Sequence, residues 1–481
     1  MKRAVVLSLG LLMATPAAQA EDLLTVFERA VANDPQIREA DALRRASLES
    51  KPQALAALLP QLSGAASRQK DDTDGSSTSQ FVLNGVLVPS DRSGQGDTTN
   101  TRWSVDLRQS VFSWANWVSL KRADKTVAQA EADYQAEQQA LISRVSDAYF
   151  NVLAAQDSVE AQSTALEAIS RQLDQADKRF EVGLIAITDV QEAKAARDSA
   201  AAAVIASKRS LASTQEQLRA ITGEKYTVLA KPGDAMPLNS PVPAEEDKWV
   251  ELSMEQNLAL VSSRLAADIA RDDVRASFSG HLPEVDLVAS RSNAVNDAQQ
   301  RLRSGAISSS DSDQDNSSYS LQLSVPIFSG GATSSRVRQS EYRWQAARER
   351  LVRTSRETER AARDAYLGVI SEISRVNALR QALESNQTAL KATEAGYEVG
   401  TRTAVDVLDA RRNLVQAQTN YARSRYDYML NVLRLKLAAG TLDKPTLAEV
   451  NSWLVVPTPV VPAAMSTPAA APAATPAPTA R

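Results

Sequence analysis

Few residues in this chain are equipped for chemistry. It has one histidine, His281, and no cysteine. That excludes a His/Cys metal cluster, thiol chemistry and a histidine-based catalytic dyad. Asp311–Ser312–Asp313–Gln314–Asp315 spaces its carboxylates like the start of a calcium loop, but Asn316 stands where such a loop needs glycine and Gln322 where it needs glutamate. A polar outer loop is the better reading. No P-loop or dinucleotide fingerprint occurs, and Gly330–Gly331 reads as a strand-to-helix turn. What remains is a polar constellation around Gly400: Tyr397, Arg402, Asp406 and Asp409. Carboxylates three residues apart share a helix face. Held that close, they resist being charged together. This is electrostatic chemistry; the sequence shows no enzyme and implies no cofactor.

The stretch that holds these residues, Tyr397 to Asp409, reads as a tight reversal between two helices with Gly400 at the turn. It has a sibling at Phe180–Glu181–Val182–Gly183–Leu184–Ile185–Ala186–Ile187–Thr188–Asp189–Val190. Tyr397 and Phe180, Gly400 and Gly183, and Asp406 and Asp189 all differ by the same 217 positions, as do Tyr366 and Tyr149, and Gly440 and Gly223. The chain is a duplication. Its divisions fall at 1–20 (leader), 21–224 (repeat 1), 225–247 (a proline-rich linker), 248–442 (repeat 2) and 443–481 (a C-terminal extension).

Very long helices must carry the two turns. No proline lies between Pro89 and Pro232 or between Pro326 and Pro445. Val145, Val152, Val159, Leu166, Leu173 and Phe180 recur every seventh residue, with Ala148, Ala155, Ile169 and Ala176 at the companion seam. Val369, Val376, Leu383, Leu390 and Tyr397 repeat the pattern. Heptads sustained this far mean coiled-coil packing. At about 1.5 Å per residue, Trp117 to Phe180 extends roughly 95 Å. Shorter helices precede the rods: one from Asp22 with Leu24, Phe27 and Val31 on one side, then a break at Asn33–Asp34–Pro35 and a helix to about Leu58.

Between short and long helices the period changes to two. Trp103, Val105 and Leu107 alternate with Ser104, Asp106 and Arg108, and Tyr319, Leu321, Leu323 and Val325 alternate with Ser320, Gln322 and Ser324. Weaker partners lie at Leu62–Arg68 and Val285–Arg291, separated by polar loops at about 69–101 and 292–318. One apolar and one polar face over some ten residues is the signature of a transmembrane barrel strand. Trp103, Phe112, Trp114, Trp117 and Phe328 cluster near these segments, where interfacial aromatic belts belong; filling a soluble core is the plainer role for the tryptophans, and the alternating strands beside them favour the belt.

The ends fit that picture. Met1–Lys2–Arg3, an apolar run from Ala4 to Ala14 and Ala18–Gln19–Ala20 form a secretory signal peptide, so the mature chain begins at Glu21. The net charge of −4 becomes −6 once Lys2 and Arg3 are removed, which argues against nucleic acid. Beyond Pro457 the chain is rich in Pro, Ala and Thr, and a disordered tail is expected. Four barrel strands cannot close alone, since the smallest membrane barrels need about eight. An open sheet edge in lipid leaves unpaired backbone groups costing several kcal/mol each, so partner chains are required.

Val-Gly-Leu-Ile-Ala-Ile-Thr-Asp-Val at 182–190 and Tyr-Glu-Val-Gly-Thr-Arg-Thr-Ala-Val-Asp-Val-Leu-Asp at 397–409, in register across the duplication, resemble the TolC-type outer-membrane efflux channels. The resemblance covers about Glu21 to Trp453. It implies a mainly α fold with a transmembrane β part: a homotrimer whose 12-stranded barrel sits in outer-membrane lipid and continues as a periplasmic α-barrel with a closed tip. It also implies docking, through a periplasmic adaptor (membrane fusion) protein, to an inner-membrane RND or ABC transporter, for efflux or type I secretion. Carried over residue by residue, Tyr397 and Arg402 would bond to Thr188 and Asp189 as a gate lock. Asp406 and Asp409 would form an acidic ring in the pore, and Gly183–Leu184 and Gly400–Thr401 would meet the adaptor. Plainer roles stand beside these. Asp406 and Asp409 could be solvated surface charge, Arg402 an ordinary surface arginine, and Tyr397 a packing residue at the heptad position of Phe180. Rival functions are a soluble periplasmic coiled-coil adaptor, disfavoured by the apolar strand faces, and a secreted filament subunit, for which the paired turns have no use.

Overall fold

The computed structural model describes residues 21–455 apart from Thr227, Asp234, Ala235, Arg303, Ser304 and Ala306. The expected signal peptide and tail lie outside the described residues. Repeat 1 opens with α1 (Leu23–Asn33), α2 (Pro35–Leu48) and α3 (Ser50–Ala56). Asp22 caps α1 by accepting from Thr25 N, and Asp34 caps α2 by accepting from Gln36 N with Pro35 in the first turn. The buried stripe of α1 is Leu23, Val26, Phe27 and Ala30, while Val31 is 47% exposed. The sequence offers two overlapping helical stripes, and packing selects the one through Leu23. The expected single helix to Leu58 is broken at Glu49. Pro52 has no N–H to give the Leu48 carbonyl.

Four strands follow in two hairpins: β1 (Gln61–Leu83) with β2 (Val86–Phe112), and, after the rods of repeat 1, β4 (Glu284–Leu302) with β5 (Ile307–Ser324). They form one antiparallel sheet in the order β1-β2-β4-β5, leaving both outer strands unpaired on one edge. The polar stretches expected to be loops are largely strand. Leu83 pairs with Val86 around Asn84–Gly85, whose φ values of 48° and 79° make the type I′ turn that matches strand twist. With register pinned at that tip, Ser, Thr and Asp residues continue the ladder without an apolar face to drive it. Asp311 and its neighbours lie on β5, and Asn293 Nδ2 donates to Asp313 (2.7 Å) and Asp315 (3.2 Å).

The rods of repeat 1 are α4 (Trp114–Glu181, 68 residues) and α5 (Ile187–Thr222). The linker's β3 (Lys231–Pro232) leads to α6 (Glu246–Gln256) and α7 (Leu258–Phe278), and repeat 2 adds α8 (Ala332–Glu398, 67 residues) and α9 (Ala404–Ala438). The extension supplies α10 (Lys444–Asn451) and β6 (Leu454–Val455), which pairs with β3. The short and returning helices abut end to end. Asn33 Nδ2 donates to Thr222 O at the end of α5 (2.9 Å), and Asn257 Nδ2 to Ala438 O at the end of α9 (3.0 Å). Each amide satisfies a carbonyl the helix cannot pair itself.

The main core is a girdle at mid-height, where Leu141–Leu153 of α4 and Tyr426–Leu435 of α9 meet α1, α10 and the linker. The linker is part of it, with Leu229 and Ala230 buried. Below the girdle the core thins. Val145 and Val152 are fully buried, but Phe180, in the same heptad position, is 41% exposed, and only small clusters such as Ala176–Val190–Ala193 remain. There the alanine seam packs within the chain beside Ile169, Val190 and Leu408, while Phe180 turns outward. No described helix is long and apolar enough to cross a membrane.

Candidate functional site

The two hairpin tips are built on one backbone plan. In the first, Gly183 (φ 76°) donates to Phe180 O (2.8 Å) and Leu184 N to Arg179 O (2.9 Å). In the second, Gly400 (φ 81°) donates to Tyr397 O (3.1 Å) and Thr401 N to Gly396 O (2.8 Å). This double bond pattern with a left-handed glycine ends a helix and satisfies its last carbonyls. Gly183, Leu184, Gly400 and Thr401 are all exposed at the tip.

The returning helices start differently. Thr403 and Asp406 form a reciprocal capping box: Asp406 N donates to Thr403 Oγ1 (3.2 Å), and Thr403 N donates to Asp406 Oδ2 (2.9 Å). These bonds, and Arg402 nearby, hold the Asp406 carboxyl below the usual carboxylate range. At the matching place in repeat 1, Ala186 caps α5 without a side-chain bond. The [ST]-x-x-[DE] pattern was present in the sequence and identifies this cap. Asp409 accepts from Arg412 one turn on, at 2.9 Å, so its charge is partly offset within the same helix. The two carboxylates expected to act alike therefore have different partners.

Within one chain the four candidate lock residues do not bond to one another. Thr188 is exposed, and the Asp189 side chain has no hydrogen-bond or ion-pair partner among the described residues. The same holds for the Arg402 guanidinium, whose stem lies against Gly396. Tyr397 is half-buried, with the Arg179 guanidinium carbon 5.2 Å from its ring centroid. No sequence spacing signals that contact, because the residues come from different repeats. Behind the tips, Leu408 of α9 packs between Ile169 of α4 and Ala196 of α5, and Arg411 pairs with Glu394 at 2.5 Å.

At the other end, the register puts Leu62, Gly64, Ala66, Trp103, Val105, Leu107, Ala289, Leu287, Val285, Tyr319, Leu321 and Leu323 on one face of the sheet, which also carries Gln109, Arg291, Asn293, Asp315 and Ser317. The opposite face carries Arg108 paired with Asp286 (2.7 Å) and Asp106 accepting from Ser104 (3.0 Å) and Ser290 (2.6 Å). Trp103 lies at one end of the apolar band, 40% exposed; Phe112 (42%), Trp114 (44%), Trp117 (56%) and Phe328 (88%) lie at the other. Trp103 to Phe112 spans about 30 Å of strand. At barrel tilt that stands about 23 Å tall, close to a lipid-facing band.

The family model for outer membrane efflux proteins matches residues 26–224 and 249–441, one segment in each repeat. The chain is 35% identical to the outer membrane protein TolC of Vibrio cholerae serotype O1, covering 92% of this chain and 95% of that one. It is 28% identical to the alkaline protease secretion protein AprF of Pseudomonas aeruginosa, covering 91% and 88%. Among solved structures, the Campylobacter jejuni CmeC outer membrane channel superposes with a TM-score of 0.69 at 17% identity, over 90% of each chain. Matched along nearly its whole described length, this chain belongs to the outer membrane efflux protein family and is an outer-membrane channel of the TolC type.

Proposed function

We propose that this channel works as a homotrimer, three four-stranded sheets closing one 12-stranded barrel above a shared ring of helices, and that its hairpin tips form the gate. The observation that carries this reading is the sheet itself. Its apolar face is of membrane height, yet β1 and β5 each leave an edge unpaired. Such edges cannot face lipid, so further copies must pair with them. In the assembly, Arg402 and the Tyr397 hydroxyl, which have no hydrogen-bonding partner among the described residues, bond to Thr188 and Asp189 across the tip seams. Each exposed bond of this kind is worth about 0–1 kcal/mol, so a set replicated by symmetry holds the tip shut while leaving it openable. Asp406 and Asp409 make the closed constriction cation-selective. The apolar tip residues, Val182, Leu184 and Val399, 69–76% exposed, offer the surface for a periplasmic adaptor, through which an inner-membrane RND or ABC pump drives export. The relative named for alkaline protease secretion favours protein export beside small-molecule efflux.

Size measurement in detergent and single-channel recording in planar bilayers test this reading. The expected results are a trimer, a small cation-preferring conductance, and a larger conductance for Arg402→Ser. A monomer that carries no current overturns it. Unaltered selectivity in Asp406→Asn/Asp409→Asn overturns the acidic ring alone.

A further inference from the structure

Arg179 is the twin of Gly396, 217 positions earlier, and the two exchange roles across the seam between hairpins. The Arg179 guanidinium lies 5.2 Å from the centroid of the Tyr397 ring, inside the roughly 6 Å reach of a cation–π contact. Among the described residues it makes no ion pair or side-chain hydrogen bond, so that ring is the one partner its guanidinium has there. Its place in the last turn of α4 adds a favourable interaction with the helix dipole, which holds the side chain near the tip. At the twin position the side chain is missing for a reason. A methyl at Gly396 would stand 2.8 Å from Arg402 Cγ and 3.2 Å from Thr401 Oγ1, so the glycine is the notch in which the Arg402 stem lies.

We infer that Arg179 and Gly396 are positioning residues of the gate, the first holding the Tyr397 ring and the second holding Arg402 across the end of α8. The inference rests on the gate reading above. It divides Tyr397 into two functions: the ring is gripped inside one chain, and the hydroxyl is presented outward. Splaying the two hairpins of one chain breaks the Arg179 contact directly, whereas sliding one chain past another does not. The contact therefore couples opening within a subunit to opening between subunits.

The test is the conductance of the purified channel in planar bilayers, on preparations checked for an intact heat-resistant oligomer. Arg179→Gln should raise the closed-state conductance about two- to fivefold, the Boltzmann equivalent of one exposed cation–π contact. Arg179→Lys should restore most of the closure. Arg179→Gln should act as strongly on a Tyr397→Phe background, where the ring remains, and have no effect on Tyr397→Leu, where it is gone. Gly396→Ala, an exchange that by itself favours helix, should raise conductance in the wild type and leave Arg402→Ser unchanged. An effect of Arg179→Gln that is equal on the Phe and Leu backgrounds, or absent from both while Arg402→Ser still opens the channel, overturns the role of Arg179. A Gly396→Ala effect that persists in Arg402→Ser overturns the notch. If Arg402→Ser leaves the current unaltered as well, the gate reading itself fails.

Discussion

The two halves of this chain share a backbone and differ in what they ask of it. Both tips end with the same glycine-centred turn, and both returning helices begin four residues after the glycine. The second tip carries Tyr397, Arg402 and a Thr403/Asp406 capping box; the first has Phe180, Ile185 and the uncapped Ala186 in those places. The second hairpin is thus stiffened at its start and supplied with donors, while the first supplies Asp189 and the cation of Arg179. Duplication provides the geometry, and divergence gives the two tips different side chains on it.

The same contrast recurs where the returning helices end, and there it should be largest. A methyl at Gly440 would come within 2.6 Å of the Gln256 carbonyl carbon and closer still to its oxygen, whereas at Gly223 the nearest atom is 3.8 Å away. Both glycines have positive φ, 76° and 78°. Gly440→Ala should therefore cost about 2–4 kcal/mol and Gly223→Ala about 1–2 kcal/mol, read from denaturant unfolding of the solubilised protein. Equal losses would mean the Gln256 backbone yields easily and the repeats are alike at this end.

The capping difference should be smaller. Thr403→Ala should destabilise the start of α9 by about 1 kcal/mol, seen as faster hydrogen exchange over 404–408 and a raised closed-state current. Ala186→Thr, which gives the first hairpin the cap it lacks, should slow exchange at the start of α5. If Thr403→Ala changes neither readout, the box contributes nothing to the gate.

The smallest effect is the pH dependence of that cap. Because the Asp406 carboxyl is held below its ordinary value by Thr403, its contribution is present above the unfolded carboxylate pKa of about 4 and is lost as pH falls through the lowered folded value. Protection factors at 404–408, taken against the intrinsic exchange rate at each pH, should fall on acidification below about pH 4, and Asp406→Asn should abolish that dependence. Acid sensitivity that survives in Asp406→Asn would assign it to another group.

Much of the architecture was legible because it is written in periods. Heptads from Val145, alternation around Trp103 and Tyr319, and the 217-residue offset each report a repeated physical demand. The strand extensions were not legible from alternation, since Ser, Asp and Gly carry no apolar face there; Asn84–Gly85, a two-residue hairpin signal, was the readable clue. At the tip, the residue types matched a known motif, but the division of labour between Asp406, bound to its own cap, and Asp409, paired with Arg412, needed coordinates. The Arg179–Tyr397 contact joins residues from different repeats, beyond any local pattern.

The concentration of the core at mid-height has a mechanical consequence. Tyr149 is fully buried there, its hydroxyl donating to Glu21 O and Ala230 O, while Glu181 ends the same helix at the tip. The intervening turns make an arm about 48 Å long, so pivoting it by about 5° at its bearing would sweep the free end through about 4 Å. On the gate reading proposed above, a push too slight to disturb the bearing is magnified at the tip, and the fulcrum is where the first and last described helices are clasped, Asn451 Nδ2 donating to Asp22 Oδ2 at 2.9 Å.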